Sequence, residues 1–209
     1  MSENPQLDAW TGSFGRAYLE RCGTVKAAEL EGRRAGLATV LRELPEPPAS
    51  ILEVGTNVGL NLIALSELTE AELHGVEPFK EAYDRLRENL GDRLASSYNQ
   101  SGFDLPYEDN SIDFVFTSGV LIHVAPERLG EIVSEIVRVS RRWVWCNEYF
   151  AKQLEQLSYR GKAGLLWKRD FGRFYMEQHP NLTPRATGFL WQAITPFDDT
   201  TWWLFEKQG

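Results

Sequence analysis

The stretch Ile51-Leu52-Glu53-Val54-Gly55-Thr56-Asn57-Val58-Gly59 decides the fold. Its apolar start reads as a buried strand, Gly55 and Gly59 bracket a tight turn, and the apolar pattern that resumes from Leu60 to Leu68 reads as a helix. A glycine at the end of a buried strand lets the backbone turn sharply and approach a ligand with no Cβ in between. The helix that follows offers N–H groups with no partner inside the helix. The stretch therefore predicts a ligand-binding strand, turn and helix. A dinucleotide fingerprint, G-x-G-x-x-G, would need glycine at positions 57 and 60, where the chain has Asn57 and Leu60. No Lys-Ser or Lys-Thr pair follows to make a phosphate loop. A pyrophosphate ligand is thus disfavoured.

Outward from this turn, Glu72 to Glu77 reads as a strand, Phe79 to Leu90 as a helix with Phe79, Tyr83, Leu86 and Leu90 on one face, and Leu94 to Asn99 as a strand. Ile112 to Ser118 reads as a strand covered on both faces, Glu127 to Val139 as a helix opened by Pro126, and Arg142 to Cys146 as the next strand. This alternation predicts a parallel α/β sheet with helices on both faces. Ala186 to Ala193 and Thr201 to Phe205 read as two final strands. The short link Thr195-Pro196-Phe197-Asp198-Asp199 between them has no room for a crossover helix, so the last strand should run antiparallel. Upstream, residues 7 to 22 read as a loose amphipathic cap. Val25 to Leu44 reads as a helix, with the i,i+4 pair Glu29 and Arg33, stopped by Pro45, Pro47 and Pro48. One domain is expected over 1–209: a helical cap at 1–48, a cofactor-binding core at 50–150, and a substrate-side insertion with the C-terminal strands at 151–209.

With 209 residues and a formal net charge of -8, the chain is long enough for a full core and poorly suited to phosphate backbones or anionic lipid surfaces. Neither nucleic acid nor membrane is an expected partner. The N-terminus lacks the basic and apolar regions of a signal peptide, and no apolar run approaches a membrane span. Cys22 and Cys146 stand far apart without metal-ligand spacing, so a cytoplasmic enzyme with reduced thiols and no metal is expected, its oligomeric state left open.

Glu53-Val54-Gly55-Thr56-Asn57-Val58-Gly59 resembles motif I of the class I S-adenosylmethionine (SAM) methyltransferases, usually E/D-x-G-x-G-x-G. Ser101-Gly102-Phe103-Asp104-Leu105-Pro106-Tyr107 resembles that family's loop after strand three, and Ser118-Gly119-Val120-Leu121-Ile122-His123 its segment after strand four. The resemblance covers roughly residues 50 to 150 and implies a Rossmann-like seven-stranded methyltransferase sheet with SAM as cofactor. It implies that Glu53, Gly55, Asn57 and Gly59 form the turn at the cofactor, that Glu77 holds both ribose hydroxyls, and that Pro78 and Phe79 flank the adenine. Ser101, Gly102 and Phe103 would read the adenine edge, Ser118 would line the far side, and the cap would close over the cofactor through Trp10 and Phe14. Asn57 departs from the motif's middle glycine and adds a side chain beside the cofactor. The segments Trp10 to Gly15, Gly119 to Val124 and Leu166 to Gly172 resemble a small bacterial group of methylases associated with pseudaminic acid (nonulosonic sugar) biosynthesis.

Because the methyl group of SAM is already activated, the main task of such a protein is alignment, and a base is needed only where the acceptor must lose a proton. His123, Glu148 and Tyr149 follow strands at the expected mouth of the site and are the catalytic candidates. His74 and His179 lie away from the mouth. Residues 159 to 173 carry five cations against one anion, interleaved with aromatic rings. Tyr159, Arg160, Lys168 and Arg169 are therefore candidate contacts to a small anionic acceptor, of sugar or carboxylic acid type, with N- or O-methylation open. The alternative is a SAM-binding sensor or scaffold that transfers no methyl group. A nucleotide-dependent oxidoreductase would need the missing glycines.

Overall fold

The computed structural model describes residues 4 to 208. The chain opens with α1 (Pro5–Thr11), α2 (Ser13–Cys22) and α3 (Ala27–Leu41). It continues through β1 (Ser50–Val54), α4 (Leu60–Leu65), β2 (Glu72–Val76), α5 (Lys80–Leu90), β3 (Leu94–Tyr98) and β4 (Ile112–Ser118). Then follow α6 (Leu129–Val139), β5 (Ser140–Glu148), β6 (Glu155–Tyr159), β7 (Lys162–Lys168), α7 (Phe171–Gln178), β8 (Leu182–Leu190) and β9 (Thr200–Lys207).

Seven strands form one sheet in the order β3-β2-β1-β4-β5-β9-β8, and β6 and β7 form a separate two-stranded sheet. β1 is an interior strand, parallel to β2 through Ile51↔Leu73 and to β4 through Ile51↔Phe114. β9 runs antiparallel to both its neighbours, pairing Trp145↔Leu204 on β5 and Ala186↔Leu204 on β8. The Rossmann-like, mostly parallel sheet with an antiparallel last strand is thus the observed fold.

Strand parity sorts the apolar residues into two cores. Leu52, Val54, Val115 and Val144 face α6, whose Leu129, Ile132, Val133 and Ile136 recur at helical spacing. Ile51, Phe114, Phe116, Trp143 and Trp145 face the opposite way, against Leu37 of α3, Leu62 of α4 and Leu86 of α5. Both faces of the central strands are therefore dry, and the open ends of β1, β2, β4 and β5 are left as the place where a ligand can meet backbone.

Three local readings change. The cap is two helices broken at Gly12. The penultimate strand is Leu182–Leu190, earlier than the expected 186–193. The segment after Phe150 is a β6–β7 hairpin followed by α7, where the sequence suggested a loose insertion. Its turn is Arg160-Gly161, with φ of 51° and 77°, the left-handed pair that suits the twist of a two-residue hairpin.

Candidate functional site

The turn after β1 requires its glycines. Gly55 has φ +81°, and a Cβ there would lie 2.6 Å from Val120 Cγ2. Gly59 has φ +84°, with a Cβ position 2.5 Å from Leu86 Cδ1. Between them Asn57 also takes a left-handed conformation, φ 51°, which asparagine tolerates better than most residues. The turn is thus bent back so that its N–H groups face the end of β2.

There the Glu77 carboxylate receives one of them and one from the start of α5. Oε2 accepts the Asn57 N–H at 2.8 Å and Oε1 accepts the Phe79 N–H at 2.9 Å. Each oxygen keeps a further lone pair, so the group is fixed in place while still able to accept hydrogen bonds from a ligand. Burial pushes its pKa up to about 7, against the two backbone hydrogen bonds that pull it down.

Glu77 lines a cavity of about 1020 Å³, open mouth included. Gly55, Asn57, Pro78 and Phe79 line it around the β1 and β2 ends, Ser101, Gly102 and Phe103 after β3, and Ser118 after β4. Gly102 allows close packing, since a Cβ would lie 2.7 Å from Val54 Cγ1. Trp10 lines the same cavity from the cap. Three of the expected cofactor residues sit behind the wall. Gly59 packs on Leu86 and Leu90. Phe14 is buried behind Trp10, with ring centroids 5.1 Å apart. Glu53 is buried under the turn, where Oε1 accepts from Asn61 Nδ2 at 2.6 Å and Asn61 Oδ1 accepts from Arg33 Nη1 at 2.7 Å. Burial pushes the Glu53 pKa up to about 8. Its place is to brace the first turn of α4.

The other half of the cavity is built by α1, α2 and the turn after β4. Leu7, Trp10, Tyr18, His123 and Val124 line it, with Asn4 and Gln6. His123 Nδ1 lies 2.6 Å from the Leu165 carbonyl oxygen of β7. A carbonyl only accepts, so Nδ1 carries the proton and Nε2 presents a lone pair. The ring packs against Trp10 at 4.4 Å and Tyr159 at 5.2 Å between centroids. Burial pushes the His123 pKa down to about 4, with the Leu165 bond opposing, so the imidazole is neutral at pH 7. The cap is tied to the hairpin by Gln6 Nε2 donating to the Gly164 carbonyl at 3.3 Å.

The remaining candidates lie elsewhere. Glu148 was expected at the mouth, beyond a strand ending at Cys146. β5 instead runs on to Glu148, and parity turns its side chain to the face of Val144 and Cys146, where it is fully buried. Its carboxylate accepts the N–H groups of Val120 at 3.2 Å, Leu121 at 3.1 Å and Ile122 at 3.3 Å. It anchors the turn that presents His123 and does not line the cavity. Tyr149 donates its hydroxyl to Asp198 at 3.0 Å, beneath the Lys168 ammonium 5.1 Å from its ring, and is outside the cavity wall.

Tyr159 joins the aromatic cluster around Trp10. The cations expected to face an anion rest on rings: Arg160 on Tyr159 at 5.8 Å, Lys168 on Tyr149 at 5.1 Å and Arg169 on Phe174 at 4.1 Å. Among the described residues no lysine or arginine lines the cavity. Tyr18, Leu7 and Gln6 were missed as wall residues, although Leu7, Trp10, Phe14 and Tyr18 recur at intervals of three or four, a signal the sequence carries.

Residues 52–144 match the model of a methyltransferase domain family. That span runs from β1 into β5 and holds the glycine turn, Glu77, the loop after β3 and His123. An uncharacterized methyltransferase of Mycolicibacterium gilvum (strain PYR-GCK) is 37% identical over 111 residues, which cover 52% of this chain and 39% of that protein. The chain thus spans about two fifths of the length of this relative.

Two solved structures carry the same fold over nearly the whole chain. The 1,6-didemethyltoxoflavin-N1-methyltransferase of Burkholderia thailandensis, crystallised with 1,6-didemethyltoxoflavin and S-adenosylhomocysteine, aligns with a TM-score of 0.75 at 14% identity, covering 100% of this chain and 92% of that one. The magnesium protoporphyrin IX methyltransferase of Synechocystis PCC 6803, with bound SAM, gives 0.69 at 15% identity, covering 96% and 94%. At such identities the likeness shows the fold.

Proposed function

We propose that the protein is a SAM-dependent methyltransferase acting on a small molecule, in the cytoplasm. The observation that carries the reading is the Glu77 carboxylate, fixed by Asn57 and Phe79 at the end of β2 and facing a cavity that continues to a neutral His123. The residues present suit the cofactor: Glu77 keeps a free lone pair on each oxygen for the two ribose hydroxyls, and Gly55 and Gly102 bring backbone without a side chain to the same wall. When bound, SAM supplies a methyl group activated by the positive charge on its sulfur.

The protein's part is then positional. The turn from Gly55 to Gly59 and the loop at Ser101 to Phe103 hold one half of the cavity, and α1 and α2 cover the other. Alignment of reacting groups can be worth about 7–11 kcal/mol in favourable cases. His123 Nε2 is the available acceptor for the proton that an incoming nucleophile gives up. Glu148 acts through the backbone of residues 120–122 and is a positioning residue.

The resemblance of the flanking segments to pseudaminic acid-associated methylases suggests an anionic sugar as acceptor. The placement of Arg160, Lys168 and Arg169 lends that acceptor no support. Sugar acids nevertheless belong in any acceptor panel.

The experiment is a pair. SAM or S-adenosylhomocysteine should raise the melting temperature, because a ligand at 100 times its Kd stabilises the folded state by about 2.7 kcal/mol. Labelled SAM should deliver its methyl group to an added acceptor. A protein that binds cofactor and methylates nothing in a broad panel is the sensor or scaffold of the alternative reading.

A further inference from the structure

We propose that the methyl acceptor is an uncharged aromatic ring bearing an acidic X–H group, a ring hydroxyl or ring N–H, which donates to His123 Nε2 while the ring lies among Leu7, Trp10, Tyr18 and Val124. This rests on the methyltransferase reading above and names the substrate class of the same site.

Three observations converge on it. The Leu165 carbonyl fixes the proton on His123 Nδ1, so the cavity side of the imidazole offers an acceptor and asks for a donor. The surrounding wall is apolar and aromatic, and among the described residues it includes no lysine or arginine. A carboxylate or phosphate buried there would lose its hydration with no cation to replace it. A polyol would fare little better. Among the described residues the polar groups of that half are the side chains of Asn4, Gln6, Tyr18 and His123 and the indole N–H of Trp10, and Gln6 already donates to Gly164. Several hydroxyls would go unpartnered, each at a cost of about 1–3 kcal/mol.

Base strength points the same way. The His123 imidazole is buried against Trp10 and Tyr159 and is a weak base, so it can take a proton from an acidic aromatic hydroxyl or ring N–H far more readily than from an aliphatic alcohol. In the transfer a lone pair on X attacks the methyl carbon as the carbon–sulfur bond breaks. That bonding pair stays on sulfur, which becomes the neutral thioether of S-adenosylhomocysteine. The X–H proton passes to His123 Nε2 and then to water, so the net products are X–CH3, S-adenosylhomocysteine and H⁺.

The test offers the full chain labelled SAM with 2-naphthol, 4-nitrophenol, hydroxyquinolines and lumazine in one arm, and N-acetylneuraminic acid, glucuronic acid and glucosamine in the other. Label is expected in the aromatic arm. In His123→Ala, kcat should fall about a hundredfold with 2-naphthol, with KM little changed, and much less with the more acidic 4-nitrophenol. Saturation-transfer NMR of 2-naphthol on the wild-type protein with S-adenosylhomocysteine should show ring contacts, a readout that needs no variant. Label in the sugar arm and none in the aromatic arm overturns the proposal and leaves the methyltransferase reading standing. Cofactor binding with no transfer to any aromatic acceptor also counts against it. Failure to bind S-adenosylhomocysteine at all overturns both.

Discussion

The backbone N–H of Asn57 ends on the Glu77 carboxylate, 2.8 Å from Oε2, so the residue that departs from the glycine motif is tied to the residue that would hold the ribose. Both Glu77 oxygens are occupied as acceptors of backbone N–H groups, and a proton on either would compete with that arrangement. Ribose hydroxyls would add donors and favour the ionised form further. Since burial pushes the Glu77 pKa up to about 7, S-adenosylhomocysteine affinity should rise between pH 6 and pH 8 and then level off. Calorimetry across that range checks it, and Glu77→Gln should remove the dependence.

Gly55→Ala should be costly on two counts. The left-handed backbone costs about 1–2 kcal/mol for a residue with a side chain. The clash with Val120 adds about 1–3 kcal/mol of overpacking. Gly161, at the hairpin turn, is the control, with φ +77° and nothing within 4 Å of a Cβ position. Gly161→Ala should show only the first cost in urea unfolding, and equal losses in the two variants would contradict the geometry.

Glu148 makes stability depend on pH. Its pKa in the folded protein is pushed up to about 7 by burial, and Glu53 and Glu77 are raised for the same reason to about 8 and about 7. A carboxyl raised in this way binds more protons folded than unfolded, so its contribution is fully present at low pH and is lost as pH rises through the folded value. His123, lowered to about 4, has the opposite sign, with stability lost as pH falls below the ordinary histidine range. Between pH 6.5 and 8.5 the three raised carboxyls outweigh the lowered histidines, whose ordinary value lies at the lower edge of the interval, so the melting temperature should fall across it. Glu148→Gln should flatten the slope. Glu148→Ala leaves three backbone N–H groups without their acceptor and should destabilise the protein by several kcal/mol, at about 1–3 for each.

The cavity wall at the ends of β1, β2 and β3 was legible because its signals are local. A glycine at a strand end, an acid at the end of the next strand and a polar loop after the third are each set by residues a few positions apart, and parity decides which face they share. The wall built by α1, α2 and the turn after β4 depends on contacts distant in sequence. Gln6 reaches Gly164, and His123 takes its tautomer from Leu165, neither of which leaves a periodic trace. Glu148 was misplaced because β5 extends two residues past Cys146, which moves a carboxylate from the strand's end into its buried face. The basic insertion misled for a related reason: its hairpin rests Arg160 on Tyr159 and Lys162 on Phe14, and neither cation lines the cavity.

The central claim is that Glu77 holds a SAM-type cofactor against the turn from Gly55 to Gly59. Isothermal titration of S-adenosylhomocysteine into the wild-type protein and into Glu77→Ala tests it most directly. The account predicts saturable one-to-one binding by the wild type and a loss of about tenfold or more in the variant, the worth of one to two hydrogen bonds to a charged group at about 1.5–3 kcal/mol each. No binding by the wild type, or equal affinity in the two proteins, would contradict it.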